Sequence, residues 1–132
     1  MTERINADFT VISREEQPAE GFSGQLSHTI FDKTFTGDLE GTSVVQLIAI
    51  KTPVENAMAY VAFEHITGTI GDRKGTFVVR HSALMTPAEG RSGEWIVVPH
   101  AGDGDFAALT GRGEIVQGPS GEVFQLDCDF GD

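Results

Sequence analysis

The sequence predicts an all-β chain folded as a single eight-stranded antiparallel β-barrel, and three observations carry the prediction. Apolar residues come in alternating runs of about 5–10 residues, helical periodicity is nearly absent, and each run is fenced by Gly, Asp, Pro or Ser. With 132 residues there is room for one domain, spanning 1–132 with its core over about 8–129.

The strands follow in order. Asp8 to Arg14 is the first and Ser27 to Thr36 the second, separated by Gly37-Asp38 from the third, Thr42 to Thr52. Met58 to Ile70 and Thr76 to Leu84 flank Gly71-Asp72-Arg73-Lys74-Gly75 and read as a hairpin. Gly90-Arg91-Ser92-Gly93 leads into the sixth strand, Gly93 to Pro99. Gly113 to Val116 and Glu122 to Phe130 are joined across Gly118-Pro119-Ser120-Gly121. Glycine in these linkers admits the positive φ that tight turns need. Closure is favoured because eight open strands would leave two unpaired edges, whereas eight closed ones enclose a core or one small ligand.

Register decides which face is inside. With Ile70 opposite Phe77, one face of the hairpin collects Tyr60, Ala62, Glu64, Ile66 and Ile70 with Phe77, Val79, His81 and Ala83, and reads as interior. The other collects Val61, Phe63, His65, Thr67 and Thr69 with Val78, Arg80 and Ser82, and suits solvent or a subunit contact. Glu64 and His81 then become diagonal neighbours about 7–8 Å apart at the backbone. The alternation Phe31, Lys33, Phe35 turns Lys33 inward as well. Buried charges pair or neutralise, so these three groups converge either as a binding or acid/base site or as a structural ion pair.

Composition narrows the function without naming it. Twenty acidic against nine basic residues give a net charge of −11, and Lys and Arg form no stripe along the chain, so nucleic acid is a poor partner. Nine Phe and 39% apolar residues supply a core and argue against disorder. The segment from Met1 to Asn6 lacks a signal-peptide core, and no apolar run is long enough for a membrane span. Cys128 is the only cysteine and cannot pair within the chain, which fits a reducing cytoplasm.

Other chemistry finds little support. Gly102-Asp103-Gly104-Asp105-Phe106-Ala107 satisfies the dinucleotide fingerprint but carries two aspartates where pyrophosphate would sit, so it reads as a turn with one helical revolution. Asp103 and Asp105 lack the final Glu of a calcium loop. His28, His65, His81 and His100 show no zinc spacing, and no metal or cofactor is called for. Cys128 alternates with Leu126 and Phe130 as a core thiol does, and Trp95 in its strand reads as core.

Taken together, Lys33-Thr34-Phe35-Thr36-Gly37-Asp38-Leu39-Glu40-Gly41, Phe63-Glu64-His65-Ile66-Thr67-Gly68-Thr69-Ile70-Gly71, Gly75-Thr76-Phe77 with His81, and Trp95-Ile96-Val97-Val98-Pro99 resemble a mostly bacterial domain-of-unknown-function family with an allene oxide cyclase-like β-barrel. The likeness runs from about Asp8 to Asp129. Trp95 to Gly111, with Gly102, Gly104 and Phe106, also resembles the glycine-phenylalanine turn of plant allene oxide cyclases and dirigent proteins. Those relatives steer reactive hydrophobic intermediates inside a barrel, which implies a shaped pocket here but no particular activity.

Three functions follow as expectations. The first is a barrel that binds a small apolar or carboxylated molecule, lined by Phe31, Phe35, Tyr60, Ile66, Phe77 and Val79 and anchored by Lys33, Glu64 and His81. The second is an isomerase or cyclase in which Glu64 and His81 exchange protons, which requires a pKa near neutrality. The third is a filled barrel acting as a homo-oligomeric interaction module through Val61 and Phe63.

Overall fold

The computed structural model describes residues 2–18 and 25–132, and its strands are longer than the alternation alone delimits. In chain order they are β1 (Glu3–Pro18), β2 (Leu26–Gly37), β3 (Leu39–Lys51), β4 (Met58–Ile70), β5 (Arg73–Thr86), β6 (Gly90–Val97), β7 (Asp103–Gly104), β8 (Thr110–Gly118) and β9 (Gly121–Asp129). Every pairing is antiparallel, and β1-β2-β3-β4-β5-β6-β8-β9 returns to β1, closing an eight-stranded barrel. The two-residue β7 is an addition to the expected set; it pairs with β5 at Gly75 and Thr76.

The β4–β5 hairpin corrects the expected register. Ile66, not Ile70, lies opposite Phe77, and Ile70 pairs with Arg73. The chain turns on two residues, Gly71 and Asp72, with Gly71 at φ 65°, so Arg73-Lys74-Gly75 belongs to the strand rather than to a five-residue loop. The shift is an even number of residues, so both faces keep their members. Ala62, Glu64, Ile66, Phe77, Val79 and His81 are buried, whereas Val61, Phe63, His65, Thr67 and Arg80 are exposed.

One end of the barrel is packed solid. Ile5, Ala7, Phe35, Leu39, Ile66, Phe77, Val79, Val97, Phe124, Leu126 and Cys128 form a single apolar cluster there, joined by Phe106, Leu109 and Phe130 from outside the strands. Burying each large side chain stabilises the fold by about 1.5–3 kcal/mol. Phe106 and Leu109 are delivered by the expected single helical revolution: Phe106 N–H donates to the Asp103 carbonyl at 3.1 Å and Leu109 N–H to that of Phe106 at 3.1 Å. The Asp105 carboxylate accepts from Lys74 N–H at 2.9 Å and Asp103 from Thr76 N–H at 3.1 Å, so both aspartates tie this plug to the edge of β5. At the same end Gly41 pairs with Gly68, and a Cβ at Gly41 would fall 2.1 Å from the Thr67 carbonyl oxygen. Only glycine allows the two strands to coil that closely.

A bulge in β1 alters the other end. Val11 faces Lys33, but Ser13 faces Asp32 and Arg14 faces Phe31, leaving Ile12 as the extra residue. Directly opposed residues share a face, so the bulge turns Arg14 to the side of the sheet that carries Phe31. Without it, strict alternation would send Arg14 outward with Asp8.

Candidate functional site

Above the packed end the barrel is open. A cavity of about 650 Å³ is walled by Phe9, Phe31, Leu47, Tyr60, Trp95 and Ile115, with Lys33 and His81 deep in it and Arg14, Arg91, Glu114 and Glu122 also lining it. Its wall is thinnest where β6 and β8 pair only at Trp95–Gly113 and Ile96–Arg112. Beyond those two pairs Gly90–Glu94 bonds to β5 alone and 114–118 to β9 alone, so the two strands part beside the cavity. The volume suits one small molecule.

Beneath the cavity lies a buried polar cluster. Glu64 Oε1 accepts from Lys33 Nζ at 3.4 Å and meets His81 Nε2 at 3.0 Å, and Oε2 accepts from Ser43 Oγ at 2.6 Å. The side chains of Glu64, His81 and Lys33 are 1%, 3% and 5% exposed, so the cluster is shielded from bulk water. Register explains the meeting: Lys33 faces Ser43 across β2–β3, Ser43 faces Ile66, two residues along from Glu64 on the same face, and His81 lies diagonal to Glu64 across β4–β5. No buried side-chain nitrogen or oxygen among the described residues lacks a partner.

Burial alone would push the Glu64 carboxyl up. The His81 hydrogen bond, the Lys33 charge and the Ser43 hydrogen bond together outweigh it and hold Glu64 below its ordinary value of 4.5. Glu64 is therefore a resident anion. A carboxyl depressed on folding stabilises the protein above its unfolded value, and that contribution is lost as pH falls through its folded value. Stability should accordingly decline with acid below about pH 4.5, and urea midpoints across pH 2–6 should show a smaller decline in Glu64→Gln. An identical decline in both proteins would detach the effect from Glu64.

The Lys33 ammonium is also enclosed by rings. It lies 4.4 Å from the Phe9 centroid, 5.3 Å from Trp95, 5.7 Å from Phe31 and 6.0 Å from Phe35. Each such contact contributes about 0.5–2 kcal/mol where water is excluded. His81 stacks on Trp95 with centroids 3.9 Å apart and planes 16° apart, as their direct opposition in β5–β6 dictates. Nearer the mouth Arg91 donates to the Tyr60 hydroxyl at 3.2 Å, and the Arg14 guanidinium sits 5.9 Å from the Phe31 ring.

The residues named from sequence thus separate into layers. Phe31, Lys33, Tyr60 and His81 reach the cavity wall; Glu64 lies behind them; Phe35, Ile66, Phe77 and Val79 pack in the core below and do not line the cavity. The correction for these last four has a physical cause, since the plug of Phe106, Leu109 and Phe130 fills that half of the barrel. Sequence reasoning did not mark Ser43, Phe9, Arg14 or Arg91, and it read Trp95 as core where the ring is a half-buried wall. The Cys128 thiol is buried and pushed up to about 11 by burial, as suits an inert core sulfur. Among the described residues no group of three or more His, Cys, Asp or Glu could hold a metal ion, and no helix is long and apolar enough to cross a membrane.

Comparison with known proteins agrees with this architecture. A crystal structure of a protein with unknown function from the DUF3224 family of Shewanella oneidensis MR-1 superposes with a TM-score of 0.82 at 28% identity, covering 100% of this chain and 98% of that one. No curated protein matches significantly. The family described as protein of unknown function (DUF3224) matches residues 5–130, nearly the whole barrel, and the chain belongs to that family.

Proposed function

We propose that the open half of the barrel binds a small amphipathic molecule carrying a carboxylate, with its apolar body against Phe9, Phe31, Leu47 and Trp95. The observation that carries this reading is the placement of charge. In a chain of net charge −11, three of nine Lys and Arg residues line this one cavity, against two of twenty Asp and Glu, Glu114 and Glu122. A low-dielectric pocket whose lining holds more cations than anions favours an anionic ligand over a cationic one. The likeness of the sequence motifs to allene oxide cyclase-like barrels supports a shaped pocket too, and the lone buried thiol of Cys128 supports the cytoplasm as its compartment.

Proton exchange by Glu64 is the weaker reading. A carboxylate almost fully buried and held below its ordinary pKa neither reaches a ligand nor titrates near neutrality. Native mass spectrometry of gently purified protein, followed by extraction of any retained molecule, tests the binding reading. A stoichiometric carboxylated ligand, lost in Leu47→Trp, is the expected result. Retention of an equally tight ligand in that filled variant would place binding outside the cavity.

A second reading rests on the outer face of β3, β4 and β5. Val44, Ile48, Val61, Phe63 and Leu84 are 44–55% exposed on that one side, and Ile48 lies directly opposite Val61. An apolar patch of this kind suits a homo-oligomer. Sedimentation equilibrium is expected to show a self-associating species that Phe63→Glu converts to monomer; a wild-type monomer at every concentration would eliminate this interface.

A further inference from the structure

Two hydrogen-bonding facts fix the state of His81. Glu64 is an acceptor only, since its oxygens take the Lys33 ammonium and the Ser43 hydroxyl, so the proton shared at 3.0 Å must come from His81 Nε2. Neutral His81 is therefore the Nε2–H tautomer, and its Nδ1 is a bare acceptor. Nδ1 has no hydrogen-bond partner among the described residues, and no buried side-chain nitrogen among them is unsatisfied, so this atom faces the open cavity whose wall His81 forms.

A bare nitrogen lone pair repels a carboxylate. Protonation turns Nδ1 into a charged donor aimed into the cavity, while the Nε2 bond to Glu64 persists in both states. The charge count agrees. Lys33 and Glu64 cancel, so the buried cluster is neutral with neutral His81 and carries one positive charge with imidazolium.

Resting on the reading of the cavity as a carboxylate site, we propose that His81 makes binding proton-coupled: one proton enters with each carboxylate, on Nδ1, and the ligand anion neutralises it. The atoms balance, since the proton comes from solvent and no covalent bond of the ligand changes. The other ionisable groups around the ring are Lys33 on β2, Glu64 and Tyr60 on β4, Arg14 on β1, Arg91 on β6 and the two glutamates Glu114 on β8 and Glu122 on β9. Arg14 and Arg91 keep their charge throughout and attract the anion without proton uptake. Neutral ligands with a hydroxyl behave differently, because the hydroxyl can donate to the bare Nδ1 or accept from the protonated one.

Calorimetric titration with octanoate and with 1-octanol, each in two buffers of different ionisation enthalpy over pH 6–9, tests the coupling. For octanoate the uptake should approach about one proton per molecule on the alkaline side, with affinity falling about tenfold per pH unit there. For 1-octanol both quantities should stay flat. His81→Gln retains an amide donor for Glu64 and should bind octanoate with no proton uptake. Trp95, the only tryptophan, stacks on His81 and gives an independent optical signal of its protonation. Octanoate binding without proton uptake, or uptake that persists in His81→Gln, overturns the proposal and leaves the cavity reading standing. If neither probe binds, the cavity reading falls and takes the proposal with it.

Discussion

Glu64→Gln should lower the stability of the barrel by about 3–5 kcal/mol, the cost of leaving a buried charge without its partner. The substitution keeps the shape of the side chain, removes its charge and replaces one of its two acceptor oxygens with an NH2 donor. Lys33, 5% exposed and ringed by Phe9, Phe31 and Trp95, then holds an ammonium with no other ion pair among the described residues. His81 and Ser43 lose a charged acceptor as well, and charge-assisted hydrogen bonds are roughly twice as strong as neutral ones. The double variant Lys33→Met with Glu64→Gln removes both charges and should recover most of the loss, because the penalty belongs to the uncompensated ion rather than to the pair. Urea unfolding of the wild type, Glu64→Gln, Lys33→Met and the double variant gives the coupling energy directly. A single-variant loss under about 1 kcal/mol would show that water reaches the cluster.

Phe106→Ala should cost a similar amount, about 3–5 kcal/mol, through lost burial and the void it leaves. Phe106 is 1% exposed although it stands on a turn. Its ring meets Phe77 edge-on at 5.3 Å and lies 6.2 Å from Phe130, so it fills the closed end from outside the strands. The turn is anchored by Asp105 N–H to the Lys74 carbonyl at 2.9 Å as well as by the two aspartate side chains, and cannot collapse freely into the space. Because the plug and the cavity occupy opposite halves of the barrel, octanoate affinity should stay within about twofold in this variant. Denaturant midpoints and a binding titration check both halves of the expectation. A loss of both stability and affinity would mean that the two ends are mechanically coupled.

Much of this architecture is legible in the residues themselves. Period-two alternation places Lys33 between Phe31 and Phe35 and puts Glu64 and His81 on one face, and that placement survives even with the hairpin register four residues away from the expected one. Parity is what the pattern encodes; the exact pairing is set by whether Gly71-Asp72 or a longer loop makes the turn. Arg14 is not legible in this way. Its inward direction depends on the unpaired Ile12, and nothing in Val11-Ile12-Ser13 announces a bulge. Arg91 stands among turn residues in the sequence, and only the parting of β6 from β8 brings it to a cavity. Ser43 lies in the third strand with nothing in its neighbours to mark it, because its partner Glu64 is 21 positions away. The division into a packed half and an open half was out of reach for the same reason: it depends on Phe106 and Phe130 closing one end from distant parts of the chain.

The most direct measurement is a titration of Trp95 emission at pH 6.5 with octanoate and, separately, with octylamine, which has the same chain and the opposite charge. Trp95 is the sole tryptophan and a wall of the cavity, so its signal reports on that site alone. A cavity lined by Lys33, His81, Arg14 and Arg91 against Glu114 and Glu122 predicts saturation by octanoate at one site, tighter than octylamine. An unchanged emission with both probes, or equal affinities for the two charges, would contradict an anion-selective cavity.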